Sequence, residues 1–171
     1  MPTIRLAQAG DAKNLAALAI QVWLHTYAYN GISTLLSDYV FAEFTEEKFQ
    51  QMIAAPDQCL LVAEINAHLV GYACLHFNAT RSDVLHTSTE LATLYVQEHF
   101  TRRQVGTTLL AACEQQAQQQ CGNPLFWLKV NHQNTRAITF YKKLGYAKYG
   151  TFFFALGEQR HENFVLAKAP Q

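Results

Sequence analysis

The sequence predicts an α/β fold in which helices cover both faces of a mixed sheet of about seven, mostly antiparallel strands. β-rich runs are spread along the 171 residues and alternate with segments of helical periodicity. Half of the residues are apolar, enough for one continuous core without metal or disulfide support. A helix long enough for a right-handed crossover separates Leu91–Val96 from Leu125–Val130, which predicts that these strands are parallel neighbours.

The first half of the chain predicts one strand, three helices and a hairpin. Thr45 followed by two acids is typical of a helix start, and Asn66-Ala67-His68 suits the turn of a hairpin. The predicted elements are a strand over Thr3–Ala7, a long amphipathic helix opened by Gly10-Asp11, short helices over Ile32–Phe44 and Thr45–Ala54, and strands over Cys59–Ile65 and Leu69–Phe77.

The second half of the chain begins with a polar loop and then alternates strands and helices. Leu91–Val96 is apolar with almost no alternation, which predicts a central strand covered on both faces. Glycines end both predicted helices. The elements are a loop over Asn78–Ser88, the strand Leu91–Val96, a helix over Gly106–Gln120, the strand Leu125–Val130, a helix over Asn134–Leu144, and strands over Tyr146–Leu156 and His161–Lys168.

Composition narrows the classes of partner. The 13 basic and 13 acidic side chains cancel, which argues against nucleic-acid and anionic-membrane binding and favours a small molecule. The four cysteines form no C-x-x-C pair, so we expect buried reduced thiols. Neither a secretory signal nor a membrane-spanning run is visible, so we expect a cytoplasmic protein with a single domain over residues 1–171.

A phosphate site is predicted between the strand Leu91–Val96 and the helix that follows. A strand, a loop, a glycine-bearing turn and a helix aim the backbone N–H groups of the helix start at one spot, which binds phosphate. Arg102 and Arg103 add two guanidinium groups beside Gly106 and Thr107, a combination suited to pyrophosphate. The alternative interpretation is a solvated basic turn that caps a surface helix.

A second motif follows one strand later and makes the pattern specific. Together the two segments resemble the GNAT superfamily, whose pyrophosphate loop reads [QR]-x-x-G-x-[GA] and whose next helix reads N-x-x-A-x-x-F-Y-x-x-x-G-[FY]. Thr101 and Gln104 depart from the first pattern, and Gly106 matches it. We expect Gln104 to be tolerated if the loop keeps φ below zero there. The second pattern is matched at Asn134, Ala137, Phe140, Tyr141, Gly145 and Tyr146.

The resemblance covers nearly the whole chain and implies a GNAT-like acyltransferase fold that binds acetyl-CoA. It also implies that the central parallel pair of strands splays apart at one end. It implies that the pantetheine arm adds like a strand to the backbone of the central strand, and that Asn134 bonds the arm or its loop. Helix capping is the alternative role of Asn134, and both roles can coexist. The implied cofactor-binding residues are Leu94, Tyr95, Val96, Arg102, Arg103, Gln104, Val105, Gly106, Thr107, Asn134, Ala137 and Tyr141.

The resemblance also implies two catalytic residues. Glu90, at the entrance of the central strand, is the candidate base that deprotonates the amine directly or through a water, and its alternative is a surface carboxylate. Tyr141 is the candidate proton donor to the CoA thiolate, and its alternative is a core aromatic. The spacing of the histidines fits no ligand set, so no metal is assigned.

The acceptor is the least constrained part of this reading. The ending Tyr149–Gly157, together with Asn163–Leu166, resembles the bacterial spermidine/spermine acetyltransferase branch, which implies a small cationic amine. A protein or peptide N-acetyltransferase, or a CoA-binding regulatory module without turnover, is the alternative. Homodimer formation stays open. The acids that can attract a polycation, or simply form a solvated helix face, are Asp38, Glu43, Glu46 and Glu47.

Overall fold

The computed structural model describes all 171 residues and contains seven strands and five α-helices. Single 3-10 turns at Ala9–Asp11 and Glu98–Phe100 precede the first and fourth helices. The elements are β1 Thr3–Leu6, α1 Ala12–Tyr27, α2 Thr34–Glu43, α3 Glu46–Ala54, β2 Gln58–Ile65, β3 His68–His76, β4 Glu90–Val96, α4 Val105–Cys121, β5 Trp127–Asn131, α5 Thr135–Lys143, β6 Tyr146–Leu156 and β7 Gln159–Lys168.

The strands form one mixed sheet in the order β1-β2-β3-β4-β5-β7-β6, which confirms the predicted fold class. β4 and β5 are parallel, with Glu90 opposite Trp127 and Leu91 opposite Leu128 at the amino ends of both strands. β1 pairs antiparallel with β2, and β7 pairs antiparallel with both β5 and β6. The predicted crossover therefore exists, and β4 is the middle strand of the seven.

The chain divides into two compact units, of which the first comprises residues 1–75 and 93–113. Its core forms because apolar residues of α1 recur at helical spacing and meet those of α3, β2 and β3. Phe49 and Tyr72 pack edge to face there at 5.7 Å. Ser33 and Thr45 begin α2 and α3 by accepting the N–H groups of Leu36 and Lys48, as N-cap hydroxyls do.

The second unit comprises residues 76–92 and 114–171. Its β6–β7 ribbon carries a bulge between Lys148 and Gly150. A Cβ at Gly150 would meet the carboxylate of Asp83, which binds the Arg81 guanidinium at 2.7 and 2.8 Å and would have to shift. Val84, Trp127, Val165 and Ala167 form the buried cluster that this ribbon helps to cover.

Several predicted boundaries are wrong by a few residues. β5 begins at Trp127 rather than Leu125, because the N–H of Leu125 donates to the Asn123 side chain and its carbonyl accepts from Thr87. Strand bonding is therefore replaced by a side-chain-bonded turn.

Cys121 is exposed at the end of α4, contrary to the expectation that all four thiols are buried.

No helix has both the length and the apolar character that crossing a membrane would require.

Candidate functional site

The turn before α4 belongs to the first unit and carries the two predicted phosphate-binding arginines. Arg102, Arg103 and Gln104 are exposed, and the Arg103 guanidinium lies 5.4 Å from the centre of the Phe100 ring. α4 begins at Val105, so the N–H groups of its first turn have no helical carbonyl partner. Cations and unpaired N–H groups thus occur on one short segment, a chemistry suited to an anion.

Gln104 adopts φ +61°, and Arg102 adopts φ +62°. The condition under which Gln104 is expected to cost little, a φ below zero, is therefore not met. The reason is that a left-handed residue directly before Val105 reverses the chain into the helix, a conformation that glycine adopts without strain. A side chain in this region costs about 1–2 kcal/mol. The Gln104 carbonyl still accepts both the N–H and the hydroxyl of Thr108, at 2.9 and 2.7 Å, which holds this entry.

The end of β4, also in the first unit, carries the predicted contacts Leu94, Tyr95 and Val96, all of them half-buried. The expectation that the strand is covered on both faces is therefore wrong for these residues. The Tyr95 ring packs edge to face on Tyr72 at 5.5 Å, and burial raises the pKa of the Tyr95 hydroxyl. A neutral, packed ring fixes this part of the strand, while the backbone remains the group able to bind a ligand.

Gly71 of β3 is a residue that the sequence reasoning missed. A Cβ at Gly71 would lie 2.7 Å from the Tyr95 carbonyl oxygen, 3.3 Å from Val105 Cγ1 and 3.4 Å from Val96 Cα. Only glycine therefore allows β3 to approach the end of β4 this closely. The signal in the sequence is a lone glycine inside an otherwise apolar strand, which marks a close backbone approach.

Glu90, the predicted base, lies in the second unit and is 8% exposed. Its Oε1 is 3.1 Å from Nζ of Lys129, and its Oε2 is 4.0 Å from Nδ1 of His76. The interpretation of Glu90 as an exposed surface carboxylate is thus wrong, because it is buried and paired. The sequence does not reveal Lys129 beside Glu90 because cross-strand neighbours depend on register. Glu90 is paired with Trp127, and Lys129 follows Trp127 by two residues, so it lies on the same face of the sheet as both.

α5 carries the remaining predicted residues, again within the second unit. Asn134 caps the helix, since its Oδ1 accepts the N–H of Ala137 at 3.1 Å. Tyr141 is buried, with its ring 5.2 Å from Phe140 and 5.5 Å from Tyr146. The capping role of Asn134 is therefore confirmed. The ring contacts hold Tyr141 in one orientation.

The structure groups the predicted residues by unit. Leu94–Val96 and residues 102–107 belong to the first unit, and Glu90, Asn134, Ala137 and Tyr141 belong to the second. The first group offers arginines, N–H groups and strand backbone, which suit a phosphate-bearing cosubstrate. The second offers a carboxylate beside the ammonium group of Lys129, and a tyrosine hydroxyl, which suit proton transfer.

A family model described as "Acetyltransferase (GNAT) family" matches residues 29–146. Among curated proteins, an uncharacterized N-acetyltransferase of Lactobacillus delbrueckii subsp. lactis is 23% identical over 99% of both chains. A spermidine N(1)-acetyltransferase of Thermoplasma acidophilum is 25% identical over 84% of this chain and 86% of its own. Among solved structures, the PaiA N-acetyltransferase of Thermoplasma acidophilum in complex with coenzyme A aligns with a TM-score of 0.79, 24% identity and 98% coverage of both chains.

Proposed function

We propose that the acceptor of this chain, which belongs to the acetyltransferase (GNAT) family and is an acetyl-CoA-dependent N-acetyltransferase, is a small cationic primary amine such as a polyamine. The observation that carries the proposal is the buried Glu90 carboxylate, which is paired with an ammonium group, that of Lys129, at 3.1 Å. A site that already binds one alkylammonium group suits another. The 25% identical spermidine N(1)-acetyltransferase supports the same class of acceptor.

The proposed cosubstrate contacts follow from the chemistry of the first unit. The pyrophosphate is bound by Arg102, Arg103 and the N–H groups of Val105, Gly106 and Thr107, because cations and a helix start both favour phosphate. Gln104 contributes its side-chain amide.

The pantetheine arm bonds to strand backbone, as peptides that extend a sheet do. The backbone groups of Leu94, Tyr95 and Val96 hold the arm, and an N–H among them stabilises the oxyanion. Asn134 and Ala137 are the proposed cosubstrate residues of the second unit, where Asn134 also keeps its capping bond.

The proposed reaction is a direct attack in a ternary complex. The acceptor ammonium, with a pKa near about 10, first gives a proton to Glu90, directly or through a water. Its nitrogen then forms a bond to the thioester carbonyl carbon as the C–S bond breaks, and Tyr141 donates its hydroxyl proton to the leaving thiolate. The proton on Glu90 returns to Tyr141 through solvent, and the newly acetylated nitrogen loses its second proton to solvent. The products are therefore the acetylated amine, free CoA and one released proton.

The direct test mixes purified protein with acetyl-CoA and a panel of polyamines, amino acids and peptides, and measures release of the CoA thiol. The proposal expects release with polyamines above that with the other acceptors. The Glu90→Gln variant should lose activity at neutral pH and recover it as pH rises, because free amine becomes abundant. An unchanged pH profile in Glu90→Gln would rule out Glu90 as the base.

The same panel separates the alternatives. A peptide acceptor preferred over every polyamine would identify a peptide N-acetyltransferase. Binding of CoA by calorimetry with no thiol release for any amine would instead identify a CoA-binding module without turnover. The Arg102→Ala and Arg103→Ala variants test the cosubstrate site, since each should weaken CoA binding, and more strongly at low salt.

A further inference from the structure

The ammonium group of Lys129 lies among one carboxylate and two aromatic rings of the second unit. Its Nζ is 3.1 Å from Glu90 Oε1, 4.4 Å from the centre of the Phe152 ring and 5.8 Å from that of the Trp127 ring. Ring faces within about 6 Å of the cation are what proteins use to bind alkylammonium ligands. We propose that Glu90, Phe152 and Trp127, here named the ammonium cage, bind the ammonium group of the acceptor. In its absence the ammonium group of Lys129 occupies the cage as an internal ligand, and it competes with the acceptor.

The buried carboxylate of the cage needs a cation, but the side chain of Lys129, which now provides that cation, is partly exposed. The Glu90 side chain is 11% exposed, and a carboxylate this buried is stable only beside a positive partner. The Lys129 side chain, by contrast, is 31% exposed and ends a flexible four-carbon stem. Its ammonium group can therefore move into solvent while another ammonium takes its place.

Two other basic side chains, Arg81 and His76, lie beside residues of the cage. Arg81 lies 5.2 Å from the centre of the Trp127 ring, but its guanidinium is bound by both oxygens of Asp83. His76 faces the second Glu90 oxygen at 4.0 Å. The first Glu90 oxygen and the Phe152 ring therefore have Lys129 as their cation. An external amine must therefore bind the cage more strongly than the ammonium group of Lys129 does in order to displace it.

Displacement of Lys129 also prepares the reaction. This inference rests on the proposed function, because the acceptor is taken to be an alkylammonium ion. Once that ion contacts Glu90, an N–H bond breaks and an O–H bond forms on the carboxylate, leaving a neutral amine able to attack a thioester. The released Lys129 keeps its proton in solvent, so charge and protons balance.

The cage can be tested by binding alone, in the protein carrying Trp23→Phe. Trp127 is then the sole tryptophan, and its fluorescence reports on the cage. Titration with n-butylamine hydrochloride is compared with titration with sodium chloride, which removes the ionic-strength effect. Lys129→Met should tighten butylammonium binding by about three- to tenfold, the preference that a partly exposed ion pair and one cation–π contact give an internal ligand.

Matched variants show whether the gain comes from the cage. Phe152→Ala should weaken butylammonium binding, whereas Phe153→Ala, whose 49% exposed ring contacts Arg160 instead, should not. The gain from Lys129→Met should disappear when Glu90→Gln is also present. If Lys129→Met does not fold, Lys129→Gln replaces it.

Three outcomes overturn the inference or separate it from the proposed function. Unchanged or weaker butylammonium binding in folded Lys129→Met and Lys129→Gln would show that Lys129 only stabilises Glu90. Thiol release with an unchanged KM for n-butylamine in Lys129→Met would also remove the cage while leaving the proposed function intact. Tighter binding with no thiol release in any variant would support the cage and remove the proposed acceptor chemistry.

Discussion

Replacing Gly71 by alanine perturbs the backbone that is proposed to bind pantetheine. The new Cβ would lie 2.7 Å from the Tyr95 carbonyl oxygen, whereas ordinary contacts begin at 3.4 Å. The carbonyl must therefore move by about 0.7 Å, the difference between these distances. Since the obstructing atom belongs to backbone rather than to a flexible side chain, we expect the free energy of unfolding to fall by about 1–3 kcal/mol.

The same displacement should weaken binding of CoA. Loss of one or two hydrogen bonds from Tyr95 and Val96 to the arm, each worth about 0.5–1.5 kcal/mol, corresponds to roughly a tenfold higher Kd. Calorimetry measures this Kd directly. Adenosine 3′-phosphate 5′-diphosphate, which lacks the pantetheine arm, should keep its affinity within about twofold.

Gly10→Ala is the control for Gly71→Ala, because a Cβ at Gly10 would meet no heavy atom within 4 Å. That variant should match the wild type in stability and in CoA binding. If Gly71→Ala binds CoA as tightly as the wild type, the approach of Gly71 to Tyr95 does not position the backbone that binds pantetheine. Equal losses for CoA and for the nucleotide fragment would place the effect at Val105 and the turn instead of on the pantetheine arm.

Three further substitutions test the turn, the proton donor and an ion pair. Gln104→Gly should raise the free energy of unfolding by about 1 kcal/mol in denaturant titration, because φ +61° strains a side chain, and should change the Kd for CoA less than about tenfold. Tyr141→Phe should lower kcat by about 10²-fold with little change in acetyl-CoA affinity, in steady-state kinetics. Asp11→Ala should lower the free energy of unfolding at pH 7 by about 1.5–3 kcal/mol, because Asp11 accepts two bonds from Arg5 at 2.8 and 2.9 Å. Bonding to Arg5 holds the pKa of Asp11 below its usual value, so this stability is complete above the unfolded pKa of about 3.9 and is lost as pH falls through the lower folded pKa.

Each of these predictions has a contradicting result. A Gln104→Gly protein no more stable than the wild type would mean that the loop holds φ +61° without strain. Wild-type turnover in Tyr141→Phe would make Tyr141 a packing residue. If the difference between Asp11→Ala and the wild type stayed constant down to pH 2, the substitution would act through packing instead of through the carboxylate charge.

The elements of the fold were predictable because periodicity and caps are local properties. The spacing of apolar residues in α1 and the N-cap at Thr45 both depend on residues within a few positions, and the structure confirms both. The sequence predicts the start of β5 two residues early because Leu125 and Phe126 are apolar. Leu125 is kept out of the strand by its hydrogen bonds with Asn123 and with the distant Thr87. Strand ends set by tertiary bonds leave no local signal.

The sequence predicts those residues of the candidate site that a motif fixes. It does not predict those that strand register brings together. Asn134 begins α5 as the motif requires. Lys129 beside Glu90 and Gly71 beside Tyr95 follow instead from strand pairing, which composition does not reveal. The left-handed Gln104 went against expectation because local preference favours glycine there, and the fold imposes the turn regardless.

The proposed acceptor is tested most directly by measuring release of CoA thiol from acetyl-CoA by the wild-type protein with spermidine, and by comparing it at equal concentration with an amino acid and with a peptide. We expect thiol release with spermidine, formation of one acetylated amine for each thiol, and a higher kcat/KM for spermidine than for the other two acceptors. Preference for the peptide, or the absence of release with every acceptor while CoA still binds, would contradict it.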